Sequence, residues 1–156
     1  MVRVEEELLQ QHLYRSDKER LLVTILRTSA WIGEQFQRVL EPYSITQQQY
    51  NVLRILRGSK EPLSTCDIRR RMIDRASDTS RIVDRLIEKG LAQKTPSSVD
   101  RRRIEVHITE QGRKLLETLD PVVRRFHRLA DALTQAERMV VVELLDRLRS
   151  QSDADH

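Results

Sequence analysis

Capping signals recur along this chain and divide it into helices. In a capping box, a Ser or Thr side chain accepts a hydrogen bond from the backbone N–H three residues on. The acid or amide at that position then accepts one from the N–H of the cap residue. The spacing occurs at Ser16, Thr46, Ser64 and Thr134, each time ahead of apolar residues at helical intervals. The sequence therefore predicts a mainly helical chain.

The stops of these helices can be predicted as well. The first runs from Ser16 to about Leu40, where Glu41-Pro42 ends it, and the second from Thr46 to Gly58. The remaining predicted helices run from Ser64 to about Met72, from about Ala76 to Lys89 just before Gly90, from Thr109 onwards, from Thr134 to near Leu148, and over a short stretch from Val4 to Leu13.

Between Gly90 and Thr109 the apolar period changes from helical to alternating. Ile104, Val106 and Ile108 alternate with polar residues, which is typical of a half-buried strand. Residues 91–95 can pair with this strand, and residues 96–100 form the turn of the hairpin. The order of elements predicts a mainly α (α+β) winged helix-turn-helix with long helices at both ends.

Composition limits the function classes. The chain has 156 residues and 33% charged residues, and no apolar run approaches the roughly 18 residues that span a membrane. The acidic start is unlike a signal peptide, and a single cysteine, Cys66, fits a reducing compartment. We therefore expect a soluble cytoplasmic protein without a membrane partner. Residues 54–103 hold 14 Lys and Arg against 7 Asp and Glu, which suits a polyanionic partner.

The fourth predicted helix has the pattern of a recognition helix. One side carries apolar residues, and the other carries short polar residues near the N-terminus with arginines further along. Short side chains let a backbone approach base edges, and arginine can donate two bonds to guanine. The candidate DNA contacts on this helix are Ser77, Asp78, Ser80, Arg81 and Arg85. The alternative is a solvated face with an ion pair between Arg81 and Asp84.

The hairpin tip is strongly basic. Asp100 precedes three consecutive arginines, Arg101, Arg102 and Arg103. Such side chains suit the negative potential of the minor groove, so all four residues are candidate wing contacts with DNA. The alternative is a solubilising turn.

Taken together, these motifs resemble the MarR family of bacterial transcriptional regulators. The resemblance is carried by Leu40 to Leu53 and by the segment from Leu63 to Gly112, which contains Ser80-Arg81, Asp84-Arg85-Leu86, Lys89-Gly90-Leu91, Asp100-Arg101-Arg102 and Ile108-Thr109. One departure is Ile73, where many members have glycine. The resemblance implies that Asp100 and Arg102 hold the wing in the minor groove.

The family further implies a homodimer in which two winged helices read a pseudo-palindrome. Residues 1–40 and 111–156 would supply dimerisation helices around a DNA-binding region at 41–110, in one intertwined domain. The expected function is a sequence-specific regulator of double-stranded DNA, acting as a ligand-responsive repressor. A small anionic or phenolic effector could lodge near Arg27 and Trp31, although core or interface packing also explains the aromatic residue.

Other function classes find less support in the sequence. A winged helix without specific DNA binding could serve as a protein–protein interaction module. The sequence contains no motif of catalytic residues, so we expect no enzyme. The four histidines are scattered and lack metal-ligand spacing, so we expect no cofactor or metal. Cys66 is either a redox sensor, as a cysteine is in some family members, or a small buried filler.

Overall fold

A computed structural model describes residue 4, residues 14–97 and residues 104–150 of the chain. These residues form six α-helices and one two-stranded sheet, which confirms the predicted mainly helical fold with a hairpin. Nearly all of the predicted helix from Val4 to Leu13 lies outside the described residues. The hairpin tip at residues 98–103, with all four predicted wing contacts, also lies outside them.

Helix α1 spans Asp17–Leu40 and has the predicted boundaries. The Oγ atom of Ser16 accepts a hydrogen bond from the backbone N–H of Glu19 at 3.1 Å, which satisfies one free donor of the first turn. The helix gives way to a 3-10 turn over Glu41–Tyr43, since Pro42 provides no N–H to continue it. Ser44 then takes a left-handed conformation with a φ of 56°.

Helices α2 (Gln47–Gly58) and α3 (Thr65–Arg71) both begin at complete capping boxes. The side chain of Thr46 accepts from the Gln49 N–H, and the Gln49 side chain accepts from the Thr46 N–H at 3.1 Å. Ser64 and Asp67 make the same exchange at the start of α3.

Helix α4 spans Thr79–Glu88, so the predicted start near Ala76 is wrong. Asp78 is the N-cap and its side chain accepts from the Arg81 N–H at 3.1 Å. Lys89 is the C-cap, and Gly90 follows it with a φ of 70°, which favours glycine; the N–H of Leu91 donates to the carbonyl of Leu86 at 2.9 Å.

The hairpin follows directly. Strands β1 (Ala92–Pro96) and β2 (Ile104–Ile108) pair antiparallel, with Ala92 opposite Ile108, and Val106 also bridges to Leu63 ahead of α3. Val106 and Ile108 are buried as expected, but Ile104 is 45% exposed. The apolar face of β2 therefore begins at Val106, because Ile104 pairs with the last residue of β1 and lies at the open end of the ladder.

Helices α5 (Glu110–His127) and α6 (Gln135–Ser150) complete the described chain. The hydroxyl of Thr109 accepts from the Gly112 N–H at 3.1 Å, and Thr134 and Glu137 exchange hydrogen bonds at the start of α6. Those bonds from Thr134 hold the pKa of the Glu137 carboxyl below its ordinary value. Both predicted caps are confirmed.

The chain divides into two compact units, residues 1–116 and residues 117–156. The core of the first unit is formed by fully buried side chains from α1 to α5 and β2. They are Leu40, Val52, Leu53, Ile68, Val83, Leu86, Val106 and Leu116. In the second unit α6 buries none of its residues. Within the described residues, no helix combines the length and apolarity needed to cross a membrane.

Candidate nucleic-acid interface

The turn between α3 and α4 is organised by one aspartate. The carboxylate of Asp74 accepts hydrogen bonds from the Ser77 hydroxyl at 2.6 Å and from the Ala76 N–H at 3.0 Å. These bonds, the first of them most strongly, hold the pKa of the Asp74 carboxyl below its ordinary value. The turn therefore keeps its ionised acceptor at neutral pH and loses it only as the pH falls through that lowered pKa.

This turn changes the roles of two predicted DNA contacts. The Ser77 hydroxyl donates to Asp74, and the Asp78 carboxylate caps α4. Short polar side chains compete for backbone and neighbouring groups at helix starts, which is why both lie ahead of the helix instead of on it. Both side chains therefore have a structural role at the start of α4, and a direct contact with a base would have to be made in addition to these hydrogen bonds.

The remaining predicted contacts lie on the exposed face of α4. Ser80, Arg81 and Arg85 are exposed, while Val83 and Leu86 on the opposite face are fully buried. Arg81 and Arg85 line a cleft of about 360 Å³ with residues of the α2 start and of the turn before α4. The two arginines are therefore presented together on one accessible surface.

Asp84, the residue considered as an ion-pair partner of Arg81, pairs with a lysine instead. Asp84 contacts the ammonium of Lys94 on β1 at 2.5 Å, which joins the recognition helix to the first strand of the wing. No acidic side chain in residues 14–97 and 104–150 forms an ion pair with Arg81 or Arg85. Both guanidinium groups remain open to an anionic ligand within the described part of the chain.

A second basic surface lies on α3, and sequence reasoning did not assign it. Arg69, Arg70 and Arg71 are exposed at the end of α3, and Arg75 is exposed in the following turn. With Cys66, three of these arginines line a cleft of about 520 Å³. The signal was present in the sequence as three consecutive arginines, in the helix that crosses the DNA backbone in helix-turn-helix proteins.

The end of α4 is tied to the start of α2. The ammonium of Lys89 donates to the backbone carbonyl of Ser44 and, at 3.1 Å, to the side-chain oxygen of Gln49. Gln49 is buried and already belongs to the capping box of α2. We call this group of Lys89, Ser44 and Gln49 the lysine latch. It fixes the far end of the recognition helix to the residues that follow α1.

Three other candidates occupy different places. Cys66 lies in the first turn of α3 and is exposed, so the interpretation as a buried filler is wrong. Arg27 and Trp31 lie one turn apart on α1, where Arg27 is half-buried and Trp31 is 37% exposed. Among the described residues, no group of three or more His, Cys, Asp or Glu side chains could hold a metal ion.

A helix-turn-helix with exposed arginines on its second helix, followed by a hairpin, defines the class of winged-helix transcription regulators. The family model described as "MarR family" matches residues 43–103. The transcriptional repressor NicR of Pseudomonas putida is 30% identical over 113 residues, which are 72% of this chain and 70% of NicR. The chain belongs to the MarR family.

Solved structures agree with that assignment. The MarR transcription factor of Planctomyces limnophilus is 30% identical and has a TM-score of 0.62, over 90% of this chain and 98% of its own. BpsR of Bordetella bronchiseptica, whose DNA binding is regulated by 6-hydroxynicotinic acid, is 26% identical. Its TM-score is 0.73 over 84% of this chain and 99% of its own.

Proposed function

We propose that this protein is a cytoplasmic repressor that binds a pseudo-palindromic operator as a homodimer and releases it when a small effector binds. The observation that carries the proposal is the exposed pair Arg81 and Arg85 on α4, without an acidic partner among the described residues. Arginine on a recognition helix can read guanine through two parallel hydrogen bonds. The relative NicR is a repressor, which supports repression over activation in this proposal.

Exposed apolar residues support the dimer. Helix α6 carries six large apolar side chains that are 40–67% exposed, and α1 exposes Leu21, Leu22 and Leu26. The six on α6 are Met139, Val140, Val141, Val142, Leu144 and Leu148. A soluble monomer seldom leaves so much apolar surface in water. In this proposal residues 1–40 and 111–156 dimerise, and residues 41–110 bind DNA.

The function is tested by selection from random duplex DNA at physiological salt. We expect the full chain to enrich an inverted repeat whose half-sites lie about 10 base pairs apart, one turn of the duplex. Light scattering of the complex should give two chains per duplex. Enrichment of no sequence, or binding that vanishes at physiological salt, would favour a protein-interaction module over a regulator.

The wing is tested through the salt dependence of binding. We propose that Asp100 and Arg101 to Arg103 contact DNA, with Arg102 in the minor groove. Arg102→Ala should weaken binding to all sequences and lower the slope of log K against log salt by about 1, because fewer counterions are released. Arg38→Ala, at an exposed arginine of α1, is the control. An unchanged slope for Arg102→Ala would remove the wing from the interface.

The effector site is tested with the only tryptophan of the chain. We propose that Arg27 and Trp31 contact a small aromatic acid or phenol, and the regulation of BpsR by 6-hydroxynicotinic acid supports that ligand chemistry. Titration with 6-hydroxynicotinic acid should change Trp31 fluorescence in the wild type and not in Arg27→Ala. An equal response of the two proteins would remove Arg27 from the site, and no response of the wild type would remove Trp31 as well.

A further inference from the structure

Ile73 is the most exposed large apolar side chain in the described residues, at 90%. It lies in the turn between α3 and α4, after the buried Met72 and before Asp74. An isolated exposed apolar residue is ordinary on a protein surface. This one lies in the turn that leads from α3 into the recognition helix, six residues ahead of Thr79, so its surroundings are informative.

The backbone at Ile73 is held in place. Its N–H donates to the side-chain oxygen of Asn51 on α2 at 3.0 Å. On the other side, the Asp74 carboxylate closes the turn through Ala76 and Ser77. The isoleucine side chain is therefore presented to solvent from a backbone held by hydrogen bonds, so binding has less backbone ordering entropy to lose.

The neighbours of Ile73 are charged and favour nucleic acid. Arg71 and Arg75 are exposed on either side of it, and the carbonyl of Arg75 accepts from the Nε of Arg69 at 3.3 Å. An apolar side chain that has an arginine two residues before it and another two residues after it fits a ligand that offers both phosphates and a small apolar group. In the major groove of DNA that apolar group is the C5 methyl of thymine.

We propose that Ile73 is a specificity-determining residue that contacts the C5 methyl group of one thymine in each operator half-site. The proposal rests on the function proposed above and deepens it by naming a base. In helix-turn-helix proteins the residues at the start of the recognition helix approach base edges, and this turn immediately precedes that start. The contact adds an apolar readout to the hydrogen bonds of the arginines.

The experiment deletes one methyl group at a time from the DNA. Duplexes enriched by the full chain are synthesised with deoxyuridine in place of each thymine in turn, and binding is measured for the wild type, Ile73→Ala and Ile73→Val. We expect one position per half-site at which deoxyuridine weakens wild-type binding about fourfold, the factor that corresponds to burying one methyl group. At that position Ile73→Ala should show no loss, and Ile73→Val should keep part of it.

Thermal unfolding of the three proteins provides the folding control, since truncating a 90% exposed side chain should leave stability unchanged. Equal sensitivity of wild type and Ile73→Ala to every deoxyuridine would overturn the contact, as would enriched sites without thymine. Either result leaves the regulator function standing. Failure to enrich any sequence would instead overturn the proposed function and this inference with it.

Discussion

Arg81→Ala is expected to weaken operator binding by about 1–3 kcal/mol, roughly 5- to 150-fold, while binding to random DNA changes little. The guanidinium is exposed on α4, opposite the buried Val83 and Leu86, and no acidic side chain of the described residues pairs with it. The substitution is expected to remove hydrogen bonds to a base. It leaves the start of the helix intact, because the Asp78 side chain accepts from the backbone N–H of residue 81, which alanine also has. The measurement is the ratio of Kd for operator and scrambled duplex at one salt concentration.

Two comparisons make this result interpretable. Arg38→Ala changes the net charge equally but lies on α1, so it should leave the ratio unchanged. Arg85→Ala, one turn along α4, shows whether the second arginine of the cleft reads a base as well. An equal loss on operator and scrambled DNA would mean that Arg81 contacts phosphate, and no loss on either would remove Arg81 from the interface.

Gly112→Ala is expected to lower the free energy of unfolding by about 1–3 kcal/mol or more. A Cβ atom at residue 112 would lie 2.3 Å from the backbone carbonyl oxygen of Leu91 and 2.8 Å from a side-chain carbon of Ile108. Backbone cannot yield as a flexible side chain does, so α5 must move away from the hairpin. Urea unfolding at a fixed protein concentration measures the change.

Gly58 offers a matched control for that substitution. It is the last residue of α2, and a Cβ built there meets nothing within 4 Å. Gly58→Ala should therefore be neutral or slightly stabilising, because alanine has the higher helix propensity. Equal stability of the two variants would contradict the close approach of α5 to the hairpin.

Much of the fold could be predicted because its signals are local. Ser16, Thr46, Ser64 and Thr134 each accept the hydrogen bond that their capping sequence predicts. A cap depends on residues three apart, so it is legible without knowledge of the tertiary structure. The alternating strand and the glycine stop at Gly90 are local in the same sense.

The predictions failed where two local signals competed or where packing decided. The start of α4 moved to Thr79 because Asp74 and Asp78 each offer a side-chain acceptor, and the second one is the cap. Cys66 and Ile104 are exposed because neither faces the core that the neighbouring helices and strands form. Periodicity ranks the faces of an element, but it does not say how far a core extends.

The site could be predicted in part. The two arginines of α4 follow from helical spacing, and the structure places them on one cleft. In the lysine latch, Lys89 lies 45 positions after Ser44 and 40 positions after Gln49 in the sequence. No spacing rule connects residues so far apart. The basic surface on α3 was visible as a run of arginines, but its exposure depended on which face of α3 packs against the core.

The lysine latch limits how freely the recognition helix can be exchanged. An engineer who grafts α4 together with its C-cap residue from a relative, to change DNA specificity, also replaces the Lys89 ammonium that donates to Ser44 and Gln49. A graft without a lysine at position 89 would remove one of the two hydrogen bonds that the buried Gln49 side-chain oxygen accepts, and would leave the Ser44 carbonyl without its bond from α4's C-cap. Successful chimaeras should therefore retain the host's last turn and vary only the residues ahead of it.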